Sequence, residues 1–248
     1  MFLTYICLIQ LYVPTALNWK ETKKRFSALA DLVFPENCTH CEKELAWGQK
    51  YLCIRCWEQI VPAFDVSNEI NHRFNFRINL QFTQALFLYT KNNPIQSLIH
   101  ALKYNHQYQV GHYLGQQIGM RIKSHSQNID YLLPIPLHHK KEFQRGYNQS
   151  TEIAKGITDI TGLRIEKDFL FKRKNEQSQT KKNLLERKLN FNDKFCVSKA
   201  IKGSKHILLV DDVFTTGSTV EAAFESIKSI EPNVLISFAC VALTTELS

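Results

Sequence analysis

No G-x-x-x-x-G-K-[ST] occurs anywhere in the 248 residues, which excludes a P-loop ATPase because its phosphate-binding half is missing. Internal repeats and low-complexity tracts are absent too, so repeat arrays and biased-composition linkers drop out. The apolar start, Met1 to Leu17, has no positive segment ahead of it, since the first basic residue is Lys20. It is interrupted by Gln10 and Pro14 and is too short for a membrane span, so it reads as an extension or an upstream mis-called start rather than a signal or anchor. Acidic residues are the minority, 23 against 31 Lys and Arg, giving a formal charge of +8 and a pI near 9.1. An anionic partner follows: nucleic acid, a nucleotide or a polyphosphate, with charge alone unable to choose.

What is present begins with cysteine. Seven cysteines are too unevenly placed for a secreted disulfide framework, and the reducing cytoplasm is the expected compartment. Cys7, Cys196 and Cys240 sit among apolar residues and read as buried thiols. The other four form Cys38-x2-Cys41-x11-Cys53-x2-Cys56. Two such knuckles present their sulfurs to one tetrahedral Zn²⁺ at about 2.3 Å, with sulfurs about 3.8 Å apart. Four thiolates leave no open coordination position, so the expected zinc is structural, in a module too small to hold itself by a core. His40, inside the first knuckle, reads as a neighbour of the ligands or as exposed.

Four segments are expected: an extension over 1–25, the cysteine module over 26–62, a polar, Asn-rich linker over 63–80, and a larger domain over 81–248. In the last, strand and helix signals alternate. Ala85 to Tyr89, Ile129 to Ile135, Ile207 to Val210 and Val234 to Leu243 read as strands; stretches from Pro94, Tyr108, Gln149 and Ser218 read as helices. The class is α/β, with a mainly parallel sheet flanked by helices.

The sharpest chemical signal is Ile207-Leu208-Leu209-Val210-Asp211-Asp212-Val213-Phe214-Thr215-Thr216-Gly217-Ser218-Thr219. An apolar strand ends in two acids, then a Thr/Gly/Ser loop enters a helix. Backbone N–H groups of Thr215 to Thr219 converge where the helix dipole favours an anion, and Gly217 allows close approach. The carboxylates of Asp211 and Asp212 suit vicinal ribose hydroxyls, accepting from each O–H. Two basic stretches accompany this: Lys140, Lys141 and Arg145 after the strand ending at Pro134-Ile135-Pro136-Leu137, and the segment Lys172 to Lys188 with Arg173, Lys174, Gln179 and Arg187. Either a diphosphate or a nucleic-acid backbone would satisfy these cations. Trp57, Phe74 and Phe76, close to Arg55, Arg73 and Arg77, fit strand stacking or core packing equally.

The Asp211 to Thr219 run resembles the motif by which type I phosphoribosyltransferases bind phosphoribosyl diphosphate (PRPP). With Leu32-Val33-Phe34-Pro35, Ala101-Leu102-Lys103-Tyr104, Arg145-Gly146-Tyr147-Asn148-Gln149 and Gln179-Thr180, the chain from about Phe26 to Leu243 is similar to the ComF family, which joins a four-cysteine zinc module to such a domain. The resemblance implies a phosphoribosyltransferase-like fold, with PRPP and Mg²⁺ as ligands. It places Asp211, Asp212, Thr215, Thr216, Gly217, Ser218 and Thr219 on the phosphoribosyl group and Lys140, Lys141 and Arg145 in a pyrophosphate loop. Arg173, Lys174, Gln179 and Arg187 fall in a flexible loop closing over the ligand. It also implies work on single-stranded DNA during natural competence, beside a helicase-like partner at the inner face of the membrane. Whether the protein transfers phosphoribose or only binds it stays open, and no residue names an acceptor base.

Overall fold

The computed structural model describes residues 36–74, 77–104, 107–172, 195–198 and 203–244. After the short helix α1 (Ile54–Trp57) and α2 (Ser67–Arg73) the chain enters strand β1 (Thr83–Tyr89). Helices α3 (Pro94–Tyr104) and α4 (Tyr108–Ile122) then lead to β2 (Tyr131–Pro134). Next come α5 (His139–Arg145), α6 (Gln149–Thr161) and the two-residue β3 (Arg164–Ile165). The short strands β4 (Leu170–Lys172) and β5 (Phe195–Val197) precede β6 (His206–Phe214), α7 (Ser218–Ile230) and β7 (Leu235–Thr244).

Five strands form one parallel sheet in the order β1-β7-β6-β2-β3, and β4 pairs with β5 in a separate antiparallel ladder. The central strands are apolar on both sides, Ile207, Leu208, Leu209 and Val210 all being fully buried, as a parallel sheet covered on two faces requires. Ile70 of α2 and Ala222, Ala223 and Ile227 of α7 cover one face. The other carries α3, α4 and α6 together with Leu52, Cys56 and Ile60 of the cysteine module. Helices α4 and α6 meet through glycines. A Cβ on Gly115 would stand 2.0 Å from the Ile153 carbonyl oxygen, and one on Gly156 2.0 Å from that of His112. Here the backbones themselves are in contact.

The α/β class expected from the alternating pattern is what the chain adopts. Two expectations need amendment. Residues 63–80, read as a linker, contain α2 and bury Ala63, Val66, Ile70, Phe74, Ile78 and Leu80; a polar composition hides one apolar residue per helical turn. The segment from Lys140 to Arg145 is not a loop but lies within α5, which ends at Gly146 in the left-handed conformation, φ +78°, a standard glycine stop.

Chain order sets where a ligand can sit. The path β2–α6–β3 steps towards one edge of the sheet, whereas β6–α7–β7 steps towards the other, with α6 and α7 on opposite faces. Neighbouring β2 and β6 therefore diverge at their carboxyl ends, and a crevice opens there.

Candidate phosphate and metal sites

At that point lies a cleft of about 480 Å³, lined by Ile135, Pro136 and Leu137 after β2, by Lys141 and Arg145 of α5, by Asp211 and Asp212 near the end of β6, and by Thr215 and Thr219 beyond it. Lys103 of α3 and Lys172 of β4 also border it. Residues from both basic stretches and from the acidic strand end thus share one wall of solvent.

The two acids are held differently. Asp211 accepts from Ser150 Oγ at 3.0 Å and from the Asp212 backbone N–H at 2.8 Å. Burial, then the neighbouring Asp212 charge, pushes its carboxyl up to about 7. Asp212 instead pairs with Lys103 Nζ at 2.9 Å and accepts from the Val213 N–H at 2.7 Å. One carboxyl is pushed towards neutrality by burial, and the other lies against a lysine. Burial, with Asp211 next in weight, raises the thiol of Cys240, which lies opposite Asp211 on β7.

Beyond them, Gly217 caps α7 with φ +79° and supplies no side-chain acceptor. The Ser218 N–H makes a long contact to the Thr216 hydroxyl at 3.5 Å, and no N-cap side chain claims the N–H groups that follow in this 13-residue helix, which suits them to an anion. Thr216 and Ser218 contact each other within the loop, hydroxyl to hydroxyl at 3.3 Å. The loop is braced from beneath. A Cβ on Gly217 would come 2.5 Å from the Phe74 ring, and Phe74 stacks edge-on against Phe214 at 5.5 Å. Arg73 donates to the Thr215 carbonyl at 2.7 Å, also bonds the Thr244 carbonyl, and pairs with Glu69 at 2.5 Å.

Of the expected residues, Asp211, Asp212, Thr215, Thr219, Lys141 and Arg145 line the cleft, with Gly217 supporting the loop. Lys140, Thr216 and Ser218 do not line it. Arg173, Lys174, Gln179 and Arg187 lie outside the described residues. Lys103, Ser150 and Arg73 were missed. Lys103 stands in a stretch quoted for resemblance, but nothing local links it to an acid more than a hundred positions away. The stacking roles considered for Trp57 and Phe74 are overturned: Phe74 is buried, and Trp57 packs on Phe87 and Tyr113 at 6.0 and 6.3 Å. Arg73 and Arg77 are likewise engaged, the latter with Glu221 at 3.1 Å. Phe76 lies outside the described residues.

The second site is the cysteine cluster. Sulfurs of Cys38, Cys41, Cys53 and Cys56 all lie within 4.8 Å of one another, Cys41 and Cys53 at 3.7 Å, close to the edge of a tetrahedron around a thiolate-bound metal. Burial alone would raise the Cys38 thiol, yet backbone N–H groups of Cys41, Cys53 and His40 bring it down to about 6. Such N–H···S bonds favour the thiolate a metal needs. Burial and the facing sulfurs raise Cys56 instead, a repulsion that a cation between them would remove. The four residues fit a metal ion. His40 is turned away, its Nδ1 2.9 Å from Ser97 Oγ on α3.

Among the described residues no helix is long and apolar enough to cross a membrane. No protein-family model matches the chain. Several curated proteins do. Competence protein F of Haemophilus influenzae is 24% identical over 190 residues, covering 74% of each chain. DNA utilization protein YhgH of Salmonella typhimurium is 26% identical over 205 residues, 76% of this chain and 89% of its own length. Competence protein ComFC of Bacillus subtilis is 27% identical over 191 residues, 75% of each. A four-cysteine cluster packed on a parallel α/β sheet, with the Asp211 to Thr219 run at its switch point, goes with these likenesses: the chain is similar to competence protein F, ComFC and YhgH, and resembles the ComF family.

Proposed function

We propose that the chain binds PRPP or a related phosphoribosyl ligand in the β2/β6 cleft and serves the uptake or handling of single-stranded DNA during natural competence. The observation that carries the ligand reading is the juxtaposition in one cleft of an acidic strand end, a glycine-capped helix N-terminus and the cations Lys141 and Arg145. Ribose hydroxyls donate to Asp211 and Asp212, the 5′-phosphate takes the N–H groups from Thr215 to Thr219, and the diphosphate, with Mg²⁺, faces Lys141 and Arg145. Lys140, Arg173, Lys174, Gln179 and Arg187 belong to the same reading as further partners of the diphosphate. The cysteine cluster holds Zn²⁺ as a closed structural site. The DNA role draws on relatives named for competence and DNA utilization, and a helicase-like partner at the membrane's inner face belongs to the same picture.

Transfer of phosphoribose to an acceptor is the second reading, favoured by the cations that would steady a departing diphosphate. Thermal unfolding with and without PRPP and Mg²⁺ tests the first. A rise in the melting temperature is expected, absent in Asp211→Asn/Asp212→Asn; an unshifted wild type sinks the ligand assignment. Mg²⁺-dependent release of diphosphate would then separate transfer from binding.

A further inference from the structure

Next to the cleft lies a second, shallower groove of about 230 Å³, lined by Lys103, Tyr104, Lys141, Gln144 and Arg145. Three of these, Lys103, Lys141 and Arg145, border the phosphoribosyl cleft as well. On α5 the residues Lys141, Gln144 and Arg145 stand at i, i+3 and i+4, one face of the helix, so a single row of side chains forms the partition between groove and cleft. On the other side stands Tyr104, the last residue of α3, 60% exposed.

Tyr104 belongs to an open stack. The Arg145 guanidinium lies over its ring at 5.2 Å, and the exposed His100, one helical turn earlier, packs on it at 4.7 Å and 39°. The ensemble is fixed from behind. Tyr147 donates its hydroxyl to the Leu102 carbonyl, and Tyr108, half exposed, sets its ring against Tyr147 at 6.1 Å. A large aromatic left in water at a helix end, touched by a cation and an imidazole, gains little from the fold. Neither Lys141 nor Arg145 has a carboxylate partner among the described residues, so their charge is turned to whatever enters.

Stacking planes flanked by unpaired cations, in an open groove, suit a single strand: bases lie on π-faces while phosphates meet Lys and Arg. A duplex offers no unstacked base and does not fit this chemistry. We propose that single-stranded DNA lies along the His100–Tyr104–Arg145 stack with its phosphates on Lys141 and Arg145. Because those two side chains also face the cleft, strand and phosphoribosyl diphosphate compete for them. The competition rests on the phosphoribosyl reading above; the strand path does not. Ligand occupancy would thereby govern release of the strand, a negative coupling between two sites through shared charge.

Anisotropy of a labelled oligothymidylate on the full chain, over a salt series, tests this. Two or three phosphate contacts give a log–log salt slope of about −1.4 to −2.1. Tyr104→Ala should weaken binding about 5- to 150-fold, the worth of one stacked base, while Tyr104→Phe binds as the wild type and controls for folding. A Tyr104→Ala chain with unchanged strand affinity, or a duplex bound as tightly as the single strand, overturns the path. PRPP with Mg²⁺ should raise the apparent Kd for the strand in the wild type and leave Asp211→Asn/Asp212→Asn unaffected. Strand binding indifferent to PRPP, in a chain that PRPP stabilises thermally, overturns the competition. An absent thermal shift would count against the phosphoribosyl reading alone, since the dependence on Tyr104 is measured without that ligand.

Discussion

Replacing Asp211 by Asn should make the free protein more stable in alkaline solution while abolishing its phosphoribosyl affinity. Asp211 starts from an ordinary value of 3.8 and is pushed up to about 7, by burial first and the Asp212 charge second. Between those values the folded chain keeps a proton that the unfolded chain has lost. Stability therefore falls as pH rises from about 4 to about 7 and is flat above. The full shift corresponds to ~4 kcal/mol. The open side of the cleft screens this charge and reduces the cost to about 2 kcal/mol. Asparagine keeps the Oδ1 that accepts from Ser150 Oγ and from the Asp212 N–H, so the charge is lost but the acceptor is not. For a chain of this length about 2 kcal/mol is a melting-temperature gain of ~4–8 °C at pH 8, shrinking to about two-fifths of that near pH 5, where the folded wild type is protonated but the unfolded chain is not, and vanishing below about pH 4. Calorimetry of both proteins at the two pH values, each without ligand, reads the difference directly and cancels whatever the cysteine cluster does. An equal gain at both pH values, or a less stable Asp211→Asn at pH 8, would refute the assignment of a strained, half-titrated carboxyl.

Two further outcomes concern the frame around the site. Gly217→Ala should cost about 2–4 kcal/mol, because the residue is held at φ +79° and its Cβ would meet the Phe74 ring at 2.5 Å; it should also erase the thermal shift given by PRPP, and a variant that melts and binds normally would show the loop to be free of its support. Chelating the metal should loosen residues 38–56 and expose Trp57, which packs on Phe87 and Tyr113, read as a red shift in tryptophan emission while the sheet signal in far-ultraviolet circular dichroism persists; an emission spectrum insensitive to chelator would refute the four-cysteine site.

The parts of the fold legible in the sequence are those whose instructions are local. Helix α7 was expected from Ser218 to Ile230 and spans those residues, because a turn-forming Thr-Thr-Gly precedes it and its apolar residues keep helical period. Strand β6 was legible because a strand buried on both faces is a bare apolar run. Where instructions were distributed, reading failed. The 63–80 segment looks polar because α2 buries only Ile70 among its seven residues, yet Phe74 just beyond it is the floor of the phosphate loop. Strand β3, two residues long, carries too little pattern to read. The break at Gly146 was the one local cue passed over: a basic run without glycine or proline, closed by a glycine, is a helix as readily as a loop.

The acidic pair shows what sequence adjacency conceals. Asp211 and Asp212 are neighbours in the chain and look interchangeable as acceptors for a diol. In the folded chain their side chains answer to different elements, Asp211 to α6 through Ser150 and Asp212 to α3 through Lys103. One is near its titration point and the other is already compensated, so the two hydroxyls of a bound ribose would meet unlike partners. The lysine that neutralises Asp212 also lines the groove beside Tyr104. The acids and the cations of this cleft are therefore one electrostatic unit, and substituting either Asp212 or Lys103 alone leaves its partner's charge to be met by solvent or ligand.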